Sequence, residues 1–344
     1  MAGPSPSDRA RLRAGLVAAR PQALDDPRVH VSLAGLRALE GRARALSFAP
    51  RQPARSALNG RHASRLRGRG LTFEELRAYV PGDDVRAIDW KATARMGEPF
   101  VRVTTEERDR PALIVVDQRM SMFFGSVLNM KAVTAAEAAA LAAFRIADQG
   151  DRVGGIVFGD AHLAEIRPAR GRAALDRFLA ALAEANGMLA ADAPTLAPTP
   201  LAQVLRAVAR IAPRNHLIVV LSDFDAGGEE GGEGPDPAAE EETRRLVSAL
   251  ARRNDLVLGL VSDPFAQDLP AGLRLSVSDG ELQAEVNTAD SRAHRSLREM
   301  ARGRLAAVLD WQRSLGVSVL PLTTAEETTP QMRRLMGLAP RPRR

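Results

Sequence analysis

From Pro111 onward the chain alternates short apolar runs with longer stretches in which apolar residues recur every three or four positions. The first pattern marks buried strands and the second amphipathic helices. Ala112 to Val116, His216 to Leu221 and Leu256 to Val261 read as central strands. Arg152 to Phe158 and His162 to Ile166 flank Gly159-Asp160 and read as a hairpin, as does Leu273 to Val286 around Asp279-Gly280. Val317 to Leu320 is a further strand. Helices are expected over Met130 to Asp148, Arg172 to Ala185, Leu201 to Ile211, Thr243 to Arg253, about Ser291 to Leu315, and a terminal stretch up to Met336. Thr199-Pro200 supplies the helix at Leu201 with a cap and a proline in its first turn. Strands alternating with helices predict an α/β fold, an open, mainly parallel sheet with helices on both faces.

The first 110 residues follow no such rhythm. Residues 1–28 scatter Pro and Arg and read as disordered. Val31, Leu33, Leu36, Leu39, Ala43 and Leu46 fall close to one helical face. Phe73 to Tyr79 reads as a turn or short strand, and Pro81-Gly82-Asp83-Asp84 as a turn. The expected organisation is a disordered amino terminus (1–28), an amino-terminal region that is part helix and part extended (29–110), and the sheet domain (111–322). A terminal helix and basic tail (323–344) follow. Within the sheet domain, residues 226–242 are rich in Gly and Glu and read as a disordered loop.

Composition narrows the picture. Apolar content of 45% suffices for a full core, but aromatics make up only 4%. The core must rest on Leu, Val, Ile and many Ala, which favours closely packed helices. The absence of Cys excludes disulfides, thiolate catalysis and Cys-ligated zinc, and fits a reducing compartment. No run approaches the roughly 18 apolar residues of a membrane span, and the amino terminus lacks the apolar core of a signal peptide. A cytoplasmic protein without a membrane span is expected. The net charge of +6 is uneven: residues 1–110 hold 21 Lys and Arg against 13 Asp and Glu, a net of +8, leaving −2 for the rest. Arg51 to Arg69 carries six Arg and no acid. Such a run binds nucleic acid or forms a solvated arm; no Phe, Tyr or Trp lies within it for base stacking.

In open α/β sheets, ligands gather at the carboxyl ends of the strands. Three polar segments meet that description: Asp117 to Ser121, the loop reaching Thr199, and Asp223. They resemble the von Willebrand factor type A domain, in which Asp-x-Ser-x-Ser, a Thr and a later Asp hold Mg²⁺, and a partner's carboxylate completes the site. The resemblance implies Asp117, Ser121, Thr199 and Asp223 as the matching oxygens, with Arg119 where the first Ser of the motif belongs. Oxygen ligands suit a hard cation. A guanidinium about 4 Å from a divalent ion, however, costs roughly twice the ~4 kcal/mol of a unit-charge pair at an effective dielectric near 20. Three arrangements stay open: bound Mg²⁺ with Arg119 turned to solvent, Arg119 in the cation's place between Asp117 and Asp223, or acids acting only as caps.

Catalytic signatures do not assemble. Aspartyl-phosphate chemistry needs an acid two residues after its nucleophile, where Arg119 stands. Neither Lys91 nor Lys131 follows a phosphate-binding loop, Gly68 and Gly70 lack a third glycine, and the five His are scattered.

The most specific signal is Pro81-Gly82-Asp83-Asp84-Val85-Arg86-Ala87-Ile88-Asp89-Trp90, followed by Ala94-Arg95. With Gly68 to Tyr79 before it, Glu107-Arg108, Gly150-Asp151-Arg152-Val153 and Ser222-Asp223-Phe224, it resembles the bacterial domain-of-unknown-function-58 family over residues 29–337. There such a block precedes a von Willebrand factor type A-like domain. The resemblance implies a non-enzymatic partner of MoxR-type AAA+ ATPases, acting in chaperone-like assembly or activation of client proteins. Asp83, Asp84, Arg86, Asp89, Trp90 and Arg95 either form a structural network anchored by Trp90 or contact a partner directly.

Overall fold

The structure, a computed structural model, describes residues 26–44, 46, 71–106, 111–160, 162–190, 198–225, 236–267, 274–278, 283–287 and 291–336. The basic run Arg51 to Arg69, Glu107-Arg108, the turn Asp279-Gly280, most of the expected 1–28 segment and the tail beyond residue 336 lie outside these residues. The chain divides into two compact units: residues 54–109, and the rest including the amino-terminal 53.

In chain order the first described elements of the larger unit are two short helices, α1 (Leu33–Ala38) and α2 (Glu40–Ala43). The smaller unit holds β1 (Leu71–Ala78), α3 (Trp90–Met96) and β2 (Phe100–Glu106). The larger unit resumes with β3 (Ala112–Asp117), α4 (Lys131–Asp148), β4 (Val153–Phe158), β5 (Leu163–Ala169), α5 (Arg172–Gly187) and α6 (Leu201–Ile211). There follow β6 (Leu217–Ser222), α7 (Pro237–Ala251), β7 (Asp255–Ser262) and α8 (Pro264–Gln267). The hairpin of β8 (Arg274–Ser278) and β9 (Gln283–Asn287), then α9 (Ser291–Ser314), β10 (Ser318–Thr323) and α10 (Thr328–Leu335), complete it.

Six strands form one sheet in the order β10-β7-β6-β3-β4-β5, and every neighbouring pair is parallel except β4–β5. This is the open, mainly parallel sheet expected, and it is consistent with a type A-like arrangement. Alternation along β3 separates two cores. Ala112, Ile114 and Val116 face a layer containing α4, α5 and α10, whereas Leu113 and Val115 face α6, α7 and α9. Helix α4 explains the excess of alanine. Eight of its alanines, from Ala132 to Ala143, are buried, so α1, α2, α5, α10 and the sheet all approach its backbone closely. In β4 Gly155 serves the same end, because a Cβ there would lie 2.3 Å from the Phe178 ring.

Several expectations are corrected. The expected single helix over Val31 to Leu46 breaks at Leu39, its first piece capped by Ser32 (Gly35 N to Oγ, 3.0 Å). Both pieces fall in the larger of the two compact units. The polar stretch expected as a loop through residue 242 becomes helix from Pro237. Asp236 caps it by accepting from Ala238 N (2.8 Å), and a proline fits the first helical position. The acids there serve helix pairing: Glu241 bonds Arg244 and Arg245 one turn on. Helix α3 was not expected; Asp89 starts it and Gly97, at φ 78°, ends it in the left-handed conformation. Thr199 does not cap α6, whose amino terminus has no side-chain cap.

Candidate functional site

Strands β3 and β6 are parallel neighbours, so their carboxyl ends bring Asp117, the last residue of β3, beside Ser222 and Asp223 at the end of β6. Asp117 is fully buried and Arg119 only 2% exposed. An isolated charge at such depth would cost several kcal/mol, so each needs its partner. The turn after β3 supplies it. Asp117 Oδ1 accepts from the Arg119 backbone N–H (3.0 Å), which turns the chain back, and the guanidinium then closes on the same carboxylate. Its Nε lies 3.0 Å from Oδ1 and its Nη2 2.7 Å from Oδ2, a bidentate pair. The guanidinium lies 5.5 Å from the Phe158 ring centre. Ser222 Oγ donates to Asp117 Oδ2 at 2.6 Å.

Arg119 also ties neighbouring loops together. Its Nη2 donates to the Asp225 carbonyl (2.9 Å) and its Nη1 to the Thr199 carbonyl (3.4 Å), and Nη2 lies 3.8 Å from Asp223 Oδ1. The second oxygen of Asp223 accepts from Lys131 Nζ at 2.7 Å. Burial alone would raise the Asp223 pKa, but Lys131 and then Arg119 overcome it and hold the carboxyl far below the ordinary range. For Arg119, burial works against the charge, yet Asp117 outweighs it and keeps the guanidinium more strongly protonated than usual. Of the four expected oxygens, Asp117 and Asp223 therefore converge. Ser121 is exposed on the turn Met120–Met122, and Thr199 Oγ1 donates to the carbonyls of Gly159 (2.8 Å) and Asp160 (3.1 Å).

A family model described as protein of unknown function DUF58 matches residues 75–307, more than half of the chain. The chain belongs to this family. It is similar to uncharacterized proteins of Mycobacterium tuberculosis and Mycobacterium bovis, 29% identical over 247 residues that cover 72% of this chain and 69% of theirs.

In this DUF58 member the strand-end residues do not fit a Mg²⁺ ion. Both carboxylates already face a side-chain cation, the Thr199 hydroxyl points its proton at carbonyls, and a divalent ion beside Arg119 would meet strong repulsion. Among the described residues, no group of three His, Asp or Glu side chains forms an alternative metal site.

Other polar side chains brace this end of the sheet. Asp263, just past β7, accepts from Ser126 N (2.8 Å) and Oγ (2.5 Å), from Phe265 N (2.9 Å) and from the Thr324 hydroxyl. Burial opposes ionisation there, but the Ser126 and Thr324 bonds prevail and lower its pKa. Gln118 donates to the carbonyls of Asp117 and Ala132 and accepts from Asn186, whose own oxygen takes the Val31 N–H. Sequence reading missed Lys131, Ser222, Asp225 and Asp263 as members of this cluster. The signal that Ser222, Asp223 and Asp263 offered was their place directly after apolar strands. Asp160 differs from these acids. It accepts one backbone bond, from Met120 N at 2.9 Å, and burial pushes its pKa up, with the Met120 bond and Arg119 only partly opposing.

In the smaller unit the acids of the 81–90 block hold backbone. Asp83 takes two bonds from Arg77 (2.7 and 2.9 Å) and one from Val80 N (2.9 Å). Asp84 caps the turn Val85–Ala87, and Asp89 caps α3 through Lys91 N and Ala92 N, both 3.0 Å. Trp90 does not anchor this network: it is 70% exposed, and Arg86 and Arg95 are exposed as well.

Replacing Arg119 by Met should cost about 3–5 kcal/mol in chemical denaturation, because it strands a buried carboxylate. Asp117→Asn with Arg119→Met should recover much of that loss. The wild-type melting temperature should not change between excess Mg²⁺ and a chelator. Asp160→Asn, which retains an acceptor for Met120 N–H, should raise stability at neutral pH. A raised folded pKa means that the folded state loses stability as pH climbs from the ordinary carboxylate range through the raised value. The gain should therefore vanish below that range, and denaturation measured across pH would show it.

Proposed function

We propose that this chain is a non-enzymatic protein-binding adaptor that works in the cytoplasm with a MoxR-type AAA+ ATPase, in chaperone-like assembly or activation of client proteins. The observation that carries this reading is a fixed, partly apolar rim at the ligand end of the sheet. The segment between Arg119 and Lys131 is fastened by Asp263 at Ser126, by Asn129 N to the Thr324 carbonyl (3.0 Å) and by Met130 N to the Arg28 carbonyl (2.8 Å). It nevertheless presents Phe124 and, at 65% exposure, Val127 to solvent. Apolar side chains on a pre-ordered loop lose little entropy when a partner covers them.

The chemistry beneath the rim favours binding over catalysis. The charges are mutually neutralised, and Ser222 is buried with its hydroxyl donating to Asp117 and accepting from Phe224 N (2.9 Å). A nucleophile in that state has neither a free base nor access to substrate. No described helix is long and apolar enough to cross a membrane. The nucleic-acid alternative rests on Arg51 to Arg69, outside the described residues, and no structural observation favours it.

The test mixes the full chain with the purified MoxR-type ATPase of the same organism. Wild type should co-elute with it and alter ATP turnover. Phe124→Asp with Val127→Asp, both surface changes, should weaken the complex about tenfold or more without lowering the melting temperature. Absence of co-elution and of any turnover change in wild type removes the ATPase partnership. Equal binding by the double variant removes the rim as the contact.

A further inference from the structure

A second surface, in the smaller unit, has chemistry of its own. Val85, Trp90 and Met96 are each at least 60% exposed, and each is followed or preceded in sequence by an exposed cation: Arg86, Lys91 and Arg95 respectively. None of these cations forms an ion pair among the described residues. The neighbouring acids are oriented differently. Asp83, Asp84 and Asp89 fold back onto the backbone N–H groups of Val80, Arg86, Lys91 and Ala92. The frame is therefore built from acids, while the outward side chains around it are apolar or cationic apart from the exposed Glu98. Such a display is not needed for the local fold. Helix α3 is started by Asp89 and ended by Gly97, and Thr93 Oγ1 fastens it to β2 by accepting from Phe100 N (3.1 Å).

We infer that Val85, Trp90, Met96 and the three cations beside them form a docking surface for an acidic polypeptide segment, whose apolar residues cover Trp90 while its carboxylates meet Arg86, Lys91 and Arg95. Trp and Arg are the side chains that most often dominate interface energies. Charge distribution selects protein over nucleic acid. Between residues 76 and 101 four cations (Arg77, Arg86, Lys91, Arg95) balance four acids (Asp83, Asp84, Asp89, Glu98). Nucleic-acid affinity depends on a surplus of positive charge that displaces counterions. A balanced surface with outward cations instead favours directed contacts to individual carboxylates. This inference does not depend on the ATPase partnership.

Fluorescence of the full chain tests it, since Trp90 is exposed and the other tryptophan, Trp311, is 8% exposed. The difference between wild type and Trp90→Ala isolates the Trp90 signal against the buried background of Trp311. In the free protein that signal should be quenched readily by acrylamide; a shielded Trp90 would mean the surface is already covered and would overturn the inference. Three probes are then titrated: an amphipathic Leu-Glu helical peptide, its Leu-Lys counterpart and a single-stranded oligothymidine. The Leu-Glu peptide should shift Trp90 emission to shorter wavelength, with binding that weakens as salt rises. Trp90→Ala should weaken labelled-peptide binding about thirtyfold, and Arg86→Glu with Lys91→Glu and Arg95→Glu should abolish it. Equal response to the Leu-Glu and Leu-Lys peptides, or no response to either, refutes the acidic partner. Tighter binding of oligothymidine than of the Leu-Glu peptide reassigns the surface to nucleic acid.

Discussion

The pairing of Asp117 with Arg119 sets the terms for everything built at the carboxyl ends of the strands. Two acids, Asp117 and Asp223, end adjacent parallel strands with almost no exposure to water. Neutralising them is a condition for folding at all, because uncompensated burial costs more than the net stability of many domains can spare. Arg119 meets the condition from a position only two residues away, and the same guanidinium reaches the carbonyls of Thr199 and Asp225. A single side chain thus joins the loops after β3 and β6 to the loop before α6. A divalent ion could also connect loops, but it dissociates. A planar, permanently charged fork does not, and its geometry fixes the loops in one arrangement.

Lys131 shows how far the fold accommodates this constraint. It occupies the first position of α4, the positive end of the helix dipole, where a cation is ordinarily unfavourable by several tenths of a kcal/mol. Asp223 at 2.7 Å reverses that disadvantage. The rest of α4 then serves proximity: its alanines let the helix lie close to the sheet, which brings Lys131 within reach of a strand end. Ala-rich packing and charge neutralisation are in this way one solution rather than two. The Gln118–Asn186 bond extends the same brace to Val31, so the amino-terminal helices are tied to the loop that carries Arg119.

Legibility in the sequence followed the range of each interaction. Apolar periodicity located the strands and helices of the sheet domain, because burial is written locally every two or 3.6 residues. Asp117 and Asp223 were visible since each follows an apolar run, and Arg119 was visible as an intruder two residues on. Lys131 was not, because its partner lies 92 positions away and no spacing rule connects a helix start to a distant strand end. Composition misled where it was averaged: the Gly and Glu of the stretch from residue 226 obscured the Asp236-Pro237 helix start and the Glu241 pairs. In the 81–90 block, turn chemistry revealed that Asp83 and Asp84 shape backbone, yet the direction of Trp90 could not be read. A large apolar residue in a small unit has no periodic neighbours to show which way it faces.

The aspartates of the strand ends and of the 81–90 block are satisfied in different ways, and the distinction bears on what each surface can do. Asp117 and Asp223 are matched to side-chain cations, so their charge is sealed inside the fold. Asp263, Asp84 and Asp89 are satisfied by N–H or O–H donors and serve as architecture. Asp160 alone of the strand-end acids is half-buried with a single backbone donor and a raised pKa. A conspicuous density of Asp and Arg is therefore compatible with a site that performs no chemistry, because most of those charges are already answered from within. Among the described residues, side chains that the internal pairing leaves outward include Phe124 and Val127 on the fixed rim, and Trp90 with its adjacent cations in the smaller unit. Both combine exposed apolar side chains with a backbone held by Asp263 or Asp89, the kind of acid that a catalytic reading would have taken for a reactive group.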